Sequence, residues 1–276
     1  MTEWKRGLTS WVEGGTIYIS VVFSWQLEKA EKMRREYLRD GYNAIIGGPA
    51  AGGGNYPDAI TRHNPDATFT SRGCVRRCPF CIVPRLEGDL RELTDWPIRP
   101  IVCDNNLLAC SRKHFDDVIN KLKPLKGVDF NQGLDARLLS IDHADRLREL
   151  DTTCVRLAWD DTETEKQFRK AWQILRDVGI PANHIRVYVL FGFKDTPEDA
   201  LYRLSEVWKL KSFPNPMRYQ PIDTRKKNSY VAPGWSDKLL KMYMRYWSRL
   251  RYTSPIPFLE FKQGDETVEE LMDSLR

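Results

Sequence analysis

The sequence predicts an α/β fold: an open, partial (βα)6 barrel of TIM type, with a short N-terminal βαβ extension and a C-terminal helical tail. Three observations predict it. From residue 67 onward, six short apolar runs rich in β-branched residues alternate with amphipathic stretches, the pattern of parallel strands joined by right-handed crossovers. Six such units suit a three-quarter barrel better than a closed eight-unit one. The 276 residues are 41 % hydrophobic and 29 % charged, enough for one sizeable core, too few for two large domains and too apolar for a disordered chain.

The extension is assigned to residues 1–60. Residues 16–23 are apolar and β-branched, and residues 26–40 change to helical periodicity through Leu27, Ala30, Met33, Tyr37 and Leu38. Asp40-Gly41 stops that helix, and residues 42–46 read as a second buried strand closed by Gly47-Gly48-Pro49. A loop formed by the Gly-rich residues 50–54 and the polar segment that runs on to Asp66 then marks the boundary, placed near residue 60, between the extension and the core, residues 61–225. Core strands are expected at residues 67–71, 100–103, 128–131, 154–159, 185–191 and 217–220, with helices at 114–122, 141–150, 163–178 and 196–209 between them. In this architecture chemistry belongs at the carboxyl ends of the strands.

The tail, residues 226–276, holds a helix from about Ser236 and a short acidic helix near residues 266–275. Residues 225–251 carry Arg225, Lys226, Lys227, Lys238, Lys241, Arg245, Arg249 and Arg251 against Asp237 alone, a local charge of +7, interleaved with Tyr230, Trp235, Tyr243, Tyr246 and Trp247. Basic and aromatic side chains together suit a nucleic acid. Yet Leu239, Leu240, Tyr243, Tyr246, Trp247 and Leu250 share one helical stripe, which favours docking on the core with the cations on a solvated face.

The net charge of +5 helps an anionic partner without requiring one. The longest apolar run, residues 17–25, is far below the roughly 20 residues of a membrane span, so no membrane association is expected. No secretory signal is expected at the N-terminus, and six cysteines are too sparse for a disulfide scaffold, which together place the chain in the reducing cytoplasm. Their spacing then speaks of metal or redox chemistry.

Directly after the first core strand comes Gly73-Cys74-Val75-Arg76-Arg77-Cys78-Pro79-Phe80-Cys81, a C-x3-C-x2-C arrangement. Thiolates are the usual ligands of iron–sulfur clusters, and a full cubane normally takes four, so three leave one iron open. Zinc is the competing metal, but a structural zinc site wants four protein ligands and no second Cys or Cys/His pair is suitably spaced. Cys103 and Cys154 lie in apolar strands and read as buried hydrophobes. Cys110 is the best hydrogen-atom donor among the remaining thiols.

Cys74, Cys78 and Cys81, with Phe80 before the last of them, resemble the cluster-binding loop of the radical S-adenosylmethionine (SAM) enzymes. The likeness spans roughly residues 66–222 and includes residues 80–88, 129–137, 156–161 and 187–193, similar to successive strand ends of the subgroup related to cobalamin-binding and methylthiolating members. It implies that the three cysteines hold a 4Fe-4S cluster whose open iron takes SAM. It further implies that an electron from a flavodoxin- or ferredoxin-type donor cleaves SAM to a 5′-deoxyadenosyl radical that abstracts a substrate hydrogen. The extension is similar to the end of that subgroup's cobalamin domain but too short, and Asp-x-His-x-x-Gly is absent, so no cobalamin is expected.

The resemblance also implies a set of cofactor contacts, Phe80 among them. Where family members end the second strand with Gly-Gly-Glu-Pro to hold the SAM amino group, this chain has Cys103-Asp104-Asn105-Asn106; Asp104 and Asn105 are the candidate substitutes, against a plain Asp-Asn turn. Arg137 and Arg156 are candidates for gripping the SAM carboxylate, with salt bridges to Asp135 or Asp160 explaining the same residues. Asp160 is a candidate for a ribose hydroxyl, Gly192 for close approach of adenine or a simple bend, and Gln220 for adenine recognition. Gln132 and Asp135 are placed toward substrate, whose identity (nucleic acid, nucleotide, peptide or metabolite) stays open. The contrasting reading is a non-catalytic, metal-bearing module that binds nucleic acid.

Overall fold

The computed structural model describes Trp4, residues 7–53 and residues 59–276. They form two compact units: unit 1 is Met1–Gln132 with Gln220–Lys227, and unit 2 is Gly133–Tyr219 with Asn228–Arg276.

Unit 1 begins with a hairpin of β1 (Leu8–Glu13) and β2 (Thr16–Val21), antiparallel across Gly14-Gly15. Both glycines have positive φ, 55° and 77°, as a tight two-residue hairpin turn demands. Helix α1 (Leu27–Arg39) then returns the chain to β3 (Asn43–Gly47), parallel to β2. The βαβ expected of residues 16–46 is therefore present, with β1 as an unexpected third strand in the order β1-β2-β3. Ile17, Ile19 and Val21 of β2 bury against Ala30 of α1 and Ala44 of β3. Part of the Gly-rich boundary loop, residues 54–58, lies outside the described residues.

After α2 (Ala59–His63), unit 1 holds β4 (Ala67–Thr68), β5 (Ser71–Arg72), α3 (Val83–Leu86), β6 (Arg91–Glu92), β7 (Ile101–Val102), α4 (Arg112–Leu122) and β8 (Asp129–Phe130). Parallel pairing gives the order β4-β7-β8, and β5 pairs antiparallel with β6. Ser111 caps α4 by accepting the His114 N–H, and Phe115, Val118, Ile119 and Leu122 form its buried face.

Unit 2 alternates α5 (Ile141–Arg148), β9 (Val155–Ala158), α6 (Glu165–Asp177), β10 (Ile185–Phe191), α7 (Pro197–Lys209) and β11 (Phe213–Arg218), its sheet running β9-β10-β11, all parallel. The six expected core strands thus form two three-stranded parallel sheets, each in chain order. The last strand needs correcting, from residues 217–220 to Phe213–Arg218. Pro214 and Pro216 are unusual within a strand, but they occupy alternate positions while the Tyr219 N–H reaches Phe191 O. Their missing N–H groups therefore point to the unpaired side, where an edge strand tolerates proline.

The tail helix α8 (Asp237–Ser248), capped by Ser236, buries Leu239, Leu240, Met242, Tyr243, Tyr246 and Trp247, as its apolar stripe predicts. Beyond it are β12 (Lys262–Gln263), β13 (Glu266–Thr267) and α9 (Val268–Asp273), the last capped reciprocally by Thr267 and Glu270. Among the described residues no helix is long and apolar enough to cross a membrane.

Candidate functional site

The cysteine loop leaves the fold through one narrow neck. β5 and β6 pair Ser71 with Glu92 and Arg72 with Arg91, so residues 73–90 form an excursion closed at its base. Gly73 sits in that neck at φ 75°, where a Cβ would collide with the Asp89 carbonyl, so the chain requires glycine there. The Cys74 N–H donates to Gly88 O at 3.2 Å. Glu87 fastens the neck: it accepts from Arg72 Nη2 (2.8 Å), the Gly73 N–H (2.9 Å) and Asn105 Nδ2 (2.8 Å).

Within the loop, Cys74 is buried, Cys78 half-buried and Cys81 exposed. Cys74 Sγ accepts the Arg76 N–H at 3.3 Å and Asn106 Nδ2 at 3.6 Å, while the Cys81 N–H donates to Cys78 O at 3.0 Å. Arg77 donates to Cys74 O and pairs with Asp89. Among the described residues no three His, Cys, Asp or Glu side chains form a group that could hold a metal ion. In type and number the loop's donors nonetheless fit the iron–sulfur group that the resemblance implies: three thiols, one of them already accepting the N–H bonds that thiolate ligands receive. Phe80 is half-buried in the same turn.

Asp104 and Asn105 follow β7 and face different duties. Asp104 is 4 % exposed, and its oxygens take the Thr70 N–H (2.6 Å), Thr70 Oγ1–H (2.5 Å) and Ser71 Oγ–H (2.8 Å). Burial pushes its carboxyl above the ordinary range, against these hydrogen bonds. Expected to meet a ligand ammonium, Asp104 instead ties the end of β7 to the chain entering the cysteine loop. Asn105 is the member of the pair that reaches the loop, through Glu87, and its carbonyl oxygen is the atom that contact leaves over. The polar chain continues from Thr70 Oγ1 to buried His114 Nε2 at 3.3 Å. Burial raises the Cys110 thiol to about 11, so it keeps its proton at neutral pH.

In unit 2, β9 alternates as the sequence predicts: Val155 and Leu157 are buried, with Trp159 beyond them stacked on Phe168 of α6 at 4.5 Å. Arg156, Ala158 and Asp160 occupy the other face. Arg156 lies over the Tyr188 ring at 5.9 Å, a cation–π contact. Arg137 grips Asp135 with two bonds, Nε to Oδ1 at 2.7 Å and Nη2 to Oδ2 at 3.1 Å, the intramolecular partner weighed against a ligand carboxylate. Gly192 has φ 73°, and a Cβ there would lie 2.6 Å from Leu240 of α8. The room made by its missing side chain is taken by that packing. Gln220, in unit 1, donates to Thr224 Oγ1.

Asp160 accepts the Leu190 N–H at 3.3 Å, and burial pushes its carboxyl up to about 6 despite the cations Arg203 and Arg137 nearby. A carboxyl that holds its proton more tightly when folded stabilises the fold at low pH. That contribution is lost as pH rises from the unfolded value near 3.8 to about 6. Asp160→Asn is therefore expected to stabilise the protein above pH 6 by on the order of 2 kcal/mol, a gain that fades below pH 4. Thermal unfolding of both proteins from pH 4 to 8 checks this, and a pH-independent difference would refute it.

Two residues that organise these surroundings were given no role by the sequence reading. Glu87 lies in the segment 80–88, but nothing local marks its role, because the partners that give it one come from two distant segments, Arg72-Gly73 and Asn105. Arg203 had a local signal: it interrupts the stripe Ala200, Leu204, Val207 of α7, and a cation on an apolar stripe requires a buried partner. Its side chain is wholly buried and donates to Trp159 O (3.2 Å), Leu190 O (2.7 Å) and Asp195 Oδ2 (2.5 Å).

No protein-family model matches the chain, and no curated protein matches it. Among solved structures it is similar to coproporphyrinogen III oxidase (HemN) from Escherichia coli, a radical SAM enzyme, with 14 % identity over 61 % of this chain and a TM-score of 0.39. The chain spans 44 % of that protein's length.

Proposed function

We propose that this chain is a radical SAM enzyme, with Cys74, Cys78 and Cys81 as ligands of a 4Fe-4S cluster. The observation that carries the reading is the three-cysteine excursion itself, rooted just beyond the parallel strand β4 and fastened by Glu87 and the β5–β6 pair. When bound, the cluster supplies the single electron that reductively cleaves SAM to a 5′-deoxyadenosyl radical. The chain's own residues supply the setting: Arg76 and Asn106 direct N–H groups at Cys74 Sγ and so hold that sulfur at the start of the loop. Asn105 couples the end of β7 to the loop neck, which supports assigning its carboxamide oxygen to the ammonium of SAM.

A partial (βα)6 barrel is the architecture we infer, on the strand order β4-β7-β8 followed by β9-β10-β11 with helices between. A reductant of flavodoxin or ferredoxin type and a cytoplasmic setting go with this reading. The non-catalytic nucleic-acid module has less support, because the aromatic face of α8 is buried and several tail cations are paired: Lys238 with Glu266, Lys241 with Asp237. Anaerobic reconstitution with iron and sulfide is expected to give about four iron per chain. Reduction in the presence of SAM is then expected to release 5′-deoxyadenosine. Zinc at stoichiometry, with no SAM cleavage, would reject the proposal.

A further inference from the structure

Asn105 carries a carboxamide, which offers N–H bonds from one side and an oxygen from the other. The side it turns to a ligand decides what it can hold. Its Nδ2 donates to Glu87 Oε2 at 2.8 Å. Its Oδ1 accepts no hydrogen bond from the described residues, and the half-buried side chain leaves that oxygen accessible.

The cause of this orientation is Glu87. A carboxylate accepts and cannot donate, so turning the carboxamide round would set its oxygen against Oε2 and lose the bond. Glu87 is itself firmly placed. Arg72 Nη2 holds Oε1 at 2.8 Å, and the same guanidinium lies over the Phe69 ring at 3.8 Å, while the Gly73 N–H holds Oε2 at 2.9 Å. The Glu87 side chain is 17 % exposed, so water dilutes these bonds little. Closing the loop does not require the bond to Asn105, because the β5–β6 pair and the Cys74 N–H to Gly88 O already close its base. Glu87 still reaches a residue 18 positions further along the chain, at the end of β7. Asn106, the next residue, touches Cys74 Sγ, which keeps Asn105 beside the cysteine loop. Asp104 has no such freedom, since Thr70 and Ser71 occupy both its oxygens.

We propose that Glu87 is a positioning residue for SAM: by accepting the Asn105 N–H it keeps Asn105 Oδ1 turned outward, so that this corner selects a cofactor through an N–H donor, the amino group. Glu87 touches no cofactor itself. The inference rests on the radical SAM reading and adds to it the residue that gives Asn105 its polarity.

The test is a double-mutant cycle on SAM affinity, measured by anaerobic calorimetry on the reconstituted full chain, with iron content determined for each protein. Asn105→Ala is expected to weaken SAM binding about tenfold, the loss of one hydrogen bond to a charged group. Glu87→Met is expected to weaken it about fivefold, because the carboxamide then turns freely. The double variant is expected to be no worse than Asn105→Ala alone, since Glu87 acts only through Asn105. Losses that multiply to about fiftyfold would show an independent, merely structural role for Glu87 and overturn the proposal. A second signal needs neither metal nor SAM. In the metal-free protein the Asn105 side-chain N–H pair, assigned by its loss in Asn105→Ala, is expected to exchange slowly with solvent in wild type and rapidly in Glu87→Met; equal exchange would overturn the proposal as well. Should Glu87→Met fail to fold or to take up iron, the other proteins decide: rapid exchange in wild type, or unchanged SAM affinity in Asn105→Ala, would leave Glu87 nothing to position. A wild type that takes up about four iron per chain and binds no SAM would reject the radical SAM reading itself, and this proposal with it.

Discussion

Cys78→Ala is expected to lose most of its iron on reconstitution and to release no measurable 5′-deoxyadenosine, whereas Cys103→Ala keeps both. The contrast follows from position. Cys78 lies in the half-open excursion beyond the β5–β6 neck, while Cys103 is 1 % exposed in the core of unit 1, its thiol pushed up to about 12 by burial. A thiol so reluctant to ionise is a poor metal ligand, since the thiolate is the form that binds. With the three cysteines as the proposed ligands, removing one leaves two, too few to hold a cubane. Iron content and the electron paramagnetic resonance of the reduced protein separate loss of cluster from loss of turnover. Iron retained at wild-type level in Cys78→Ala, or lost equally in Cys103→Ala, would show that the excursion is not the cluster site.

The second large effect is structural. Arg203→Met is expected to destabilise unit 2 by about 3–5 kcal/mol, the range for breaking one side of a buried ion pair. That lowers the thermal midpoint by about 10 °C. Met fills the volume, but Asp195 then keeps a buried charge supported only by the Gly192 and Phe193 N–H groups, and the carbonyls of Trp159 and Leu190 lose their donor. The double variant Arg203→Met/Asp195→Asn is expected to recover part of the loss by removing the orphaned charge. Additive losses in a double-mutant cycle would show that the pair is not coupled.

How much of this was legible depended on whether the cause was local. β10 was readable because its apolar residues alternate without interruption from Ile185 to Phe191, and α8 because its stripe has the helical period. β1 was missed although Gly14-Gly15 announced a hairpin, since Leu8–Glu13 mixes polar and apolar residues too evenly to stand out. β11 was displaced because proline counts against a strand until one knows which side of the sheet is unpaired. At the candidate site the cysteine spacing was local and therefore plain. The orientation of Asp104 was not: it is fixed by Thr70 and Ser71, 34 and 33 residues earlier in the chain, and no pattern around Asp104 itself reveals whether it looks outward or back into the core.

The chain passes from one unit to the other three times, because Gln220–Lys227 rejoins unit 1 after most of unit 2 has been built. There Ser24 Oγ–H donates to Thr224 O at 2.5 Å, Glu31 pairs with Arg225, and Lys227 lies over Trp25. Neither unit is therefore a contiguous stretch of sequence. Truncation after Gln132 would strip a ribosome-synthesised fragment of its closing staple, and nascent unit 1 must wait for some ninety further residues before its last contacts can form.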